Sequence, residues 1–223
     1  MNEKCAYCSN ILTSTAHTQL EPWDKILHET SNFVVTSTVG ALVEGWTLII
    51  SKRHVPAMGA LTEVELSELQ QLVIKVRNLM ESHYGFVVMF EHGPACEGTA
   101  FGCGIDHAHL HVVPLQITLA PLVEHELQFH IMWETIADVR NLSQIHQQRV
   151  SYLYILENSR SEGKVIRLQN IPSQFMRRVI ANYLGIPHLY DYRRYKFRQN
   201  VVAALQRLET VYNEETASLV GAK

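Results

Sequence analysis

His107-Ala108-His109-Leu110-His111-Val112-Val113 is the stretch on which the reading of this 223-residue chain turns. Histidine alternates with small or apolar residues, and in a β-strand residues two apart point to the same face. The three imidazoles therefore share one side, while Ala108, Leu110 and Val112 occupy the other. Pro114 stops the strand. Three titratable rings in a row are costly to bury without partners. Histidine is both the commonest metal ligand and the side chain that titrates nearest neutrality. The pattern by itself leaves a metal-binding face and a catalytic face open.

Working outward, Asn32–Thr38 and Trp46–Ser51 read as two strands separated by a Gly-containing turn. Thr62 with Glu65 is a capping-box pattern, and Leu66, Leu69, Val73, Val76 and Met80 keep helical apolar spacing until Gly85. Phe86–Phe90 reads as a third strand, and Gly93–Asp106 is a loop with four glycines leading into the histidine strand. Beyond it, Trp133–Ile145 has helical spacing, Tyr152–Glu157 and Lys164–Gln169 read as a hairpin, Pro172–Leu184 is a helix ended by Gly185, and Arg198–Val211 is a last helix. The fold class is α+β: an antiparallel sheet crossed by a helix, with a mixed C-terminal extension. The expected division is a catalytic core over 1–116 and an extension over 117–223.

Composition narrows the function. Nearly half the residues are apolar (47%), 18% are charged and the net charge is -3, so a substantial core is expected, with neither the basic surplus of a nucleic-acid-binding protein nor a polybasic membrane anchor. A small-molecule partner suits this balance; no nucleic acid and no membrane are expected. Met1–Leu12 has no long apolar run, so it does not read as a secretory signal. A cytoplasmic location is expected. There a CxxC such as Cys5-Ala6-Tyr7-Cys8 points to metal or redox chemistry rather than a disulfide framework. A thioredoxin-like site needs a preceding strand, and only four residues precede Cys5.

The run His-φ-His-φ-His-φ-φ, together with the strand, capped helix, strand and Gly-rich loop that lead to it, resembles the histidine-triad (HIT) superfamily from about Cys5 to Pro114. The resemblance implies that the middle histidine, His109, attacks the α-phosphorus of a nucleotide-type substrate. One of its ring nitrogens is then held by a backbone carbonyl. A covalent nucleotidyl-histidine forms, to be resolved by water or an acceptor phosphate. It also implies that His111 donates to developing charge on the phosphate. Gly98, Gly102 and Gly104 in the preceding loop are candidates for backbone contact with phosphate, against the plainer role of turn residues.

In zinc-bearing members two cysteines are joined by a histidine just after the second strand and by the first histidine of the triad. Here these match Cys5, Cys8, His54 (in Ser51-Lys52-Arg53-His54) and His107, a closed four-ligand set that makes the implied Zn2+ structural. The sequence departs from the pattern at Trp46, where many members carry a histidine, and at Cys103–Asp106, where small polar residues are usual. Cys103 is read as an inert thiol, with a place near the substrate as the alternative; Asp106 as a turn cap rather than a residue orienting an imidazole; and His92 as a turn histidine in solvent, outside the site, rather than one facing it from the end of the third strand.

In the extension, Arg177 and Arg178 are candidates for substrate phosphate, since guanidinium matches phosphate oxygens, with a solvated helix face as the alternative. The expected activity is that of a nucleotidyl hydrolase or transferase. A non-catalytic nucleotide-binding or regulatory protein on the same fold is the alternative, disfavoured because binding alone does not need His109. A zinc hydrolase using the whole triad as ligands would leave Cys5 and Cys8 without a role. The resemblance further implies a homodimer.

Overall fold

The computed structural model describes residues 5–12, 21–99, 101–102, 104–157 and 162–220, with side chains of the last helix described as far as Tyr212. Among these, eight strands form one sheet: β1 Ile26–Glu29, β2 Phe33–Ser37, β3 Thr47–Ser51, β4 Val88–Gly93, β5 His109–Val113, β6 Glu134–Ile136, β7 Tyr152–Glu157 and β8 Gly163–Arg167. Their spatial order is β1-β2-β3-β5-β4-β7-β8-β6, and every adjacent pair is antiparallel. The helices are α1 Glu63–Tyr84, α2 Leu119–Leu127, α3 Leu142–His146, α4 Phe175–Tyr183 and α5 Arg198–Val220. The expected α+β class with an antiparallel sheet is what the chain adopts. No helix among the described residues is long and apolar enough to cross a membrane.

β5 lies inside the sheet, with Ile50 of β3 opposite His109 and Phe90 of β4 opposite His111. Its alternation sorts the two faces. Ala108, Leu110 and Val112 pack with Leu66, Leu69, Val73, Val76 and Met80 of α1. Helix α1 starts with the predicted capping box: Thr62 accepts from Glu65 N–H and Glu65 accepts from Thr62 N–H. Gly85 ends it at φ 84°, a conformation glycine adopts at little steric cost. The histidine face is roofed by α2 and α4, whose Leu119, Val123, Phe175, Met176, Val179 and Ile180 share a second core with Trp46, Phe90 and Val113. Nearer β2 and β3 the same face is covered by the N-terminal segment, with Ile11 on Val34, Leu48 and Ile50.

Three local expectations are revised. The histidine strand begins at His109 rather than His107; His107 stands just before it. Trp133–Ile145 is not one helix: Glu134–Ile136 pairs with β8 at the sheet edge, Asp138 caps a single tight turn with Asn141, and only Leu142–His146 is helical. The spacing of Ile136, Val139, Leu142 and Ile145 serves this broken path equally well, since all four are buried in one core. Finally, β1 and α2 were not foreseen. The hairpin β7–β8 pairs through β7 directly with β4, extending the sheet that carries the histidines.

Candidate active site and metal centre

The N-terminal segment delivers two buried thiols to the end of β5. Cys5 Sγ is 3.4 Å and Cys8 Sγ 3.6 Å from His107 Nδ1, Cys8 Sγ is 3.5 Å from His54 Nδ1, and the two Nδ1 atoms are 3.1 Å apart. All four donor atoms lie within 4.8 Å of one another. A tetrahedron built on Zn–S of about 2.3 Å and Zn–N of about 2.05 Å has S···N edges of roughly 3.5 Å and an N···N edge of roughly 3.3 Å, so the spacing fits. The outer hydrogen bonds also fit. His107 Nε2 donates to the Ser51 carbonyl (2.6 Å) and His54 Nε2 lies 3.3 Å from the Glu97 carboxylate. In neutral rings this leaves both Nδ1 lone pairs converging, as metal-ligating histidines require. Burial pushes the Cys5 thiol up and the His107 ring down to about 4. Among the described residues the triad contributes one member, His107, to this cluster. The reading in which all three histidines hold a metal finds no such cluster.

His109 is placed for different chemistry. Its Nδ1–H donates to the His107 carbonyl at 2.6 Å, which leaves Nε2 with its lone pair. The ring stands edge-on to Tyr7 at 5.3 Å and lines a cavity of about 40 Å³ together with His111, His92, Gly102, Gly104, Arg177 and others. His111 has the opposite polarity. The indole N–H of Trp46 donates to His111 Nδ1 (3.1 Å), so in the neutral ring the proton is on Nε2 and available as a donor. Phe90 stacks on the His111 ring at 4.4 Å. Burial first, then His109, His92 and Arg177, hold His111 well below the usual histidine range. It therefore stays neutral at physiological pH. The strand thus presents a nucleophilic nitrogen beside a fixed N–H donor.

The model for the HIT domain matches residues 19–117. Residues 19–117 form a HIT domain. The chain is also 25% identical, over 222 residues, to a zinc finger CCCH domain-containing protein 64 of Arabidopsis thaliana; the match covers 92% of this chain and 34% of that protein. The chain thus spans about a third of the length of this curated relative. Among solved structures it is similar to yeast Ap4A phosphorylase Apa2 (12% identity, TM-score 0.41, 80% of this chain and 75% of that one) and to a uridylyltransferase (9% identity, TM-score 0.42, 80% and 86%).

The HIT domain's Gly-rich loop divides. Gly102 and Gly104 line the cavity. Gly98 does not; its N–H donates to Asp106 Oδ2 (2.9 Å), closing an exposed turn. Cys103 lies outside the described residues. From α4, Arg177 is buried and reaches the cavity. Its Nε donates to the Tyr190 carbonyl (2.8 Å), another guanidinium nitrogen donates to the Gly40 carbonyl, and its charge sits 5.1 Å from the centre of the Trp46 ring. Arg178 instead stacks on Tyr190 at 3.9 Å and is not a lining residue.

Two residues of the HIT domain belong to the site without having been read as such. Trp46, noted only as a departure from the pattern, is fully buried and sets the tautomer of His111. His92, read as a solvent histidine, is 6% exposed and lines the cavity. Its signal lay in the alternation Val88, Phe90, His92 along β4, which puts it on the histidine face. The cavity borders a broader hollow of about 320 Å³, lined by Trp23, Leu48, Asn10 and Arg193 among others, and shares Tyr7, Thr38, Val39, Gly104, Ile105 and Tyr192 with it.

Proposed function

We propose that the HIT domain is a nucleotidyl hydrolase or transferase in which His109 is the nucleophile on the phosphorus of a nucleotide-type substrate. The observation that carries this reading is the 2.6 Å bond from His109 Nδ1 to the His107 carbonyl, which fixes the tautomer and turns a basic nitrogen to the cavity. The Nε2 lone pair attacks phosphorus. The bond to the leaving oxygen breaks and its electron pair stays on that oxygen, which takes a proton from water, while the neutral His111 keeps its Nε2–H and donates it as a hydrogen bond to the developing charge. The resulting nucleotidyl-imidazolium keeps its Nδ1–H on the carbonyl. Water or an acceptor phosphate then attacks the same phosphorus, the P–N bond breaks and the pair returns to Nε2. The proton of the attacking water or acceptor phosphate passes to solvent, and His111 is neutral throughout.

In this reading the small cavity takes the phosphate and the 320 Å³ hollow takes the nucleoside, with Arg177, Gly102 and Gly104 beside the phosphate oxygens. Cys5, Cys8, His54 and His107 would hold a structural zinc ion, which supplies a cross-link between the N-terminal segment and the start of β5. The test is a screen of purified protein against dinucleoside polyphosphates, adenosine phosphoramidates and nucleotide sugars. At least one class should be turned over, and His109→Ala should cut that turnover about a thousandfold or more while leaving the fold and much of the binding intact. Wild-type rates in the variant would overturn the assignment.

A further inference from the structure

His92 is a polar group without a visible purpose. It lies on β4, and the register that pairs Phe90 with His111, continued by two residues, sets it opposite His109 on the catalytic face. Neither ring nitrogen has a hydrogen-bond partner among the described residues. A buried imidazole is rarely left in that condition, because unmet polar groups cost free energy on leaving water. Its surroundings are fixed. Phe90 stands edge-on at 5.7 Å and His111 at 6.4 Å. The loop crosses it at Gly102, where a Cβ would fall 2.3 Å from the ring in a backbone of φ +64°. Gly102 is thus the residue that lets the loop close on His92 while the ring still lines the cavity.

Resting on the nucleotide reading above, we infer that His92 is a fourth histidine of the active site, whose ring N–H donates to a non-bridging phosphoryl oxygen of the substrate. Burial holds this ring down to about 3, so it enters the site neutral, with one N–H and one lone pair. The N–H suits a phosphoryl oxygen and the lone pair suits a hydroxyl of the substrate or an ordered water. A neutral donor on β4 and another on β5 would then hold two oxygens of one phosphate without adding charge that drives His109 toward protonation.

The test uses the full chain, zinc-loaded and labelled with 15N-histidine, titrated with AMP. In the wild type, AMP should shift the His92 ring nitrogens and the His111 Nε2 resonance together. His92→Phe fills the same space without a donor. It should weaken AMP binding about 10- to 100-fold, the range for a hydrogen bond to a charged acceptor, and melt no lower than wild type because the unmet group is gone. His92→Gln, which keeps an N–H, should recover part of the affinity. Wild-type AMP affinity in His92→Phe, with His111 still shifting, would overturn this inference and leave the nucleotide reading standing. A His92→Phe variant that melts lower and binds AMP normally would make the residue a packing element. Absence of AMP binding in the wild type would take down both.

Discussion

Replacing Trp46 by Phe isolates a single hydrogen bond at the centre of the site. Phe keeps an aromatic face for the Arg177 guanidinium, 5.1 Å from the ring centre, and for the edge contact with Phe90 at 6.0 Å. It deletes the indole N–H that donates to His111 Nδ1. That acceptor is buried, so leaving it unmet costs about 1–3 kcal/mol. The smaller ring loses about 1 kcal/mol more in burial. The total is about 2–4 kcal/mol. In a chain of this length each kcal/mol moves Tm by about 2–4 °C, which gives a fall of roughly 5–15 °C in thermal unfolding. The bond itself can be read out separately. In the His111→Phe background the acceptor is absent, so Trp46→Phe should cost only the ring loss of about 1 kcal/mol. The 15N resonance of His111 Nδ1 should move downfield in Trp46→Phe as its lone pair loses the donor. Strict additivity of the two substitutions, or a Tm within a degree of wild type, would refute the claim that Trp46 fixes the His111 tautomer.

Other outcomes follow from the same geometry. Purified protein should hold about one zinc ion per chain, and Cys8→Ser should lower both metal content and Tm; metal-free protein that melts like the loaded form would remove the site. Glu91, buried against the Met58 N–H (2.6 Å) and the Tyr152 hydroxyl (2.8 Å), has its carboxyl pushed by burial from 4.5 up to about 7. A raised carboxyl stabilises the fold fully below pH 4.5 and loses that contribution as pH rises through 7. At 1.36 kcal/mol per pH unit the loss is on the order of 3 kcal/mol. The stability of wild type relative to Glu91→Gln should therefore fall by about this much from pH 5 to pH 8, and a pH-independent difference in chemical denaturation would contradict it.

What the sequence disclosed depended on how local the cause was. Helix α1 was legible because the capping box and apolar stripe lie within the element itself, and the fate of β5 because alternation needs only the strand. The metal cluster joins residues about a hundred positions apart, and only the resemblance brought Cys5, Cys8, His54 and His107 together before the structure did. Helix α2 was hidden for a physical reason. Its Thr118 makes no side-chain cap, and its first turn carries Pro121 and is held instead by Glu157 of β7, which accepts from Ala120 N–H at 2.8 Å. No inspection of residues 118–127 alone contains that partner. His92 and Trp46 were underread for a related reason: their importance lies in what stands across the sheet from them.

The central claim is that a nucleotidyl group passes through His109. Single turnover with any substrate found in the screen, quenched rapidly into base where a phosphoramidate survives, should trap protein carrying one nucleoside monophosphate on His109. Products should show retained configuration at phosphorus, since two inversions restore it. The adduct should be absent from His109→Ala. No adduct in the wild type, with inverted phosphorus in the product, would mean that water attacks directly and that His109 is not the nucleophile.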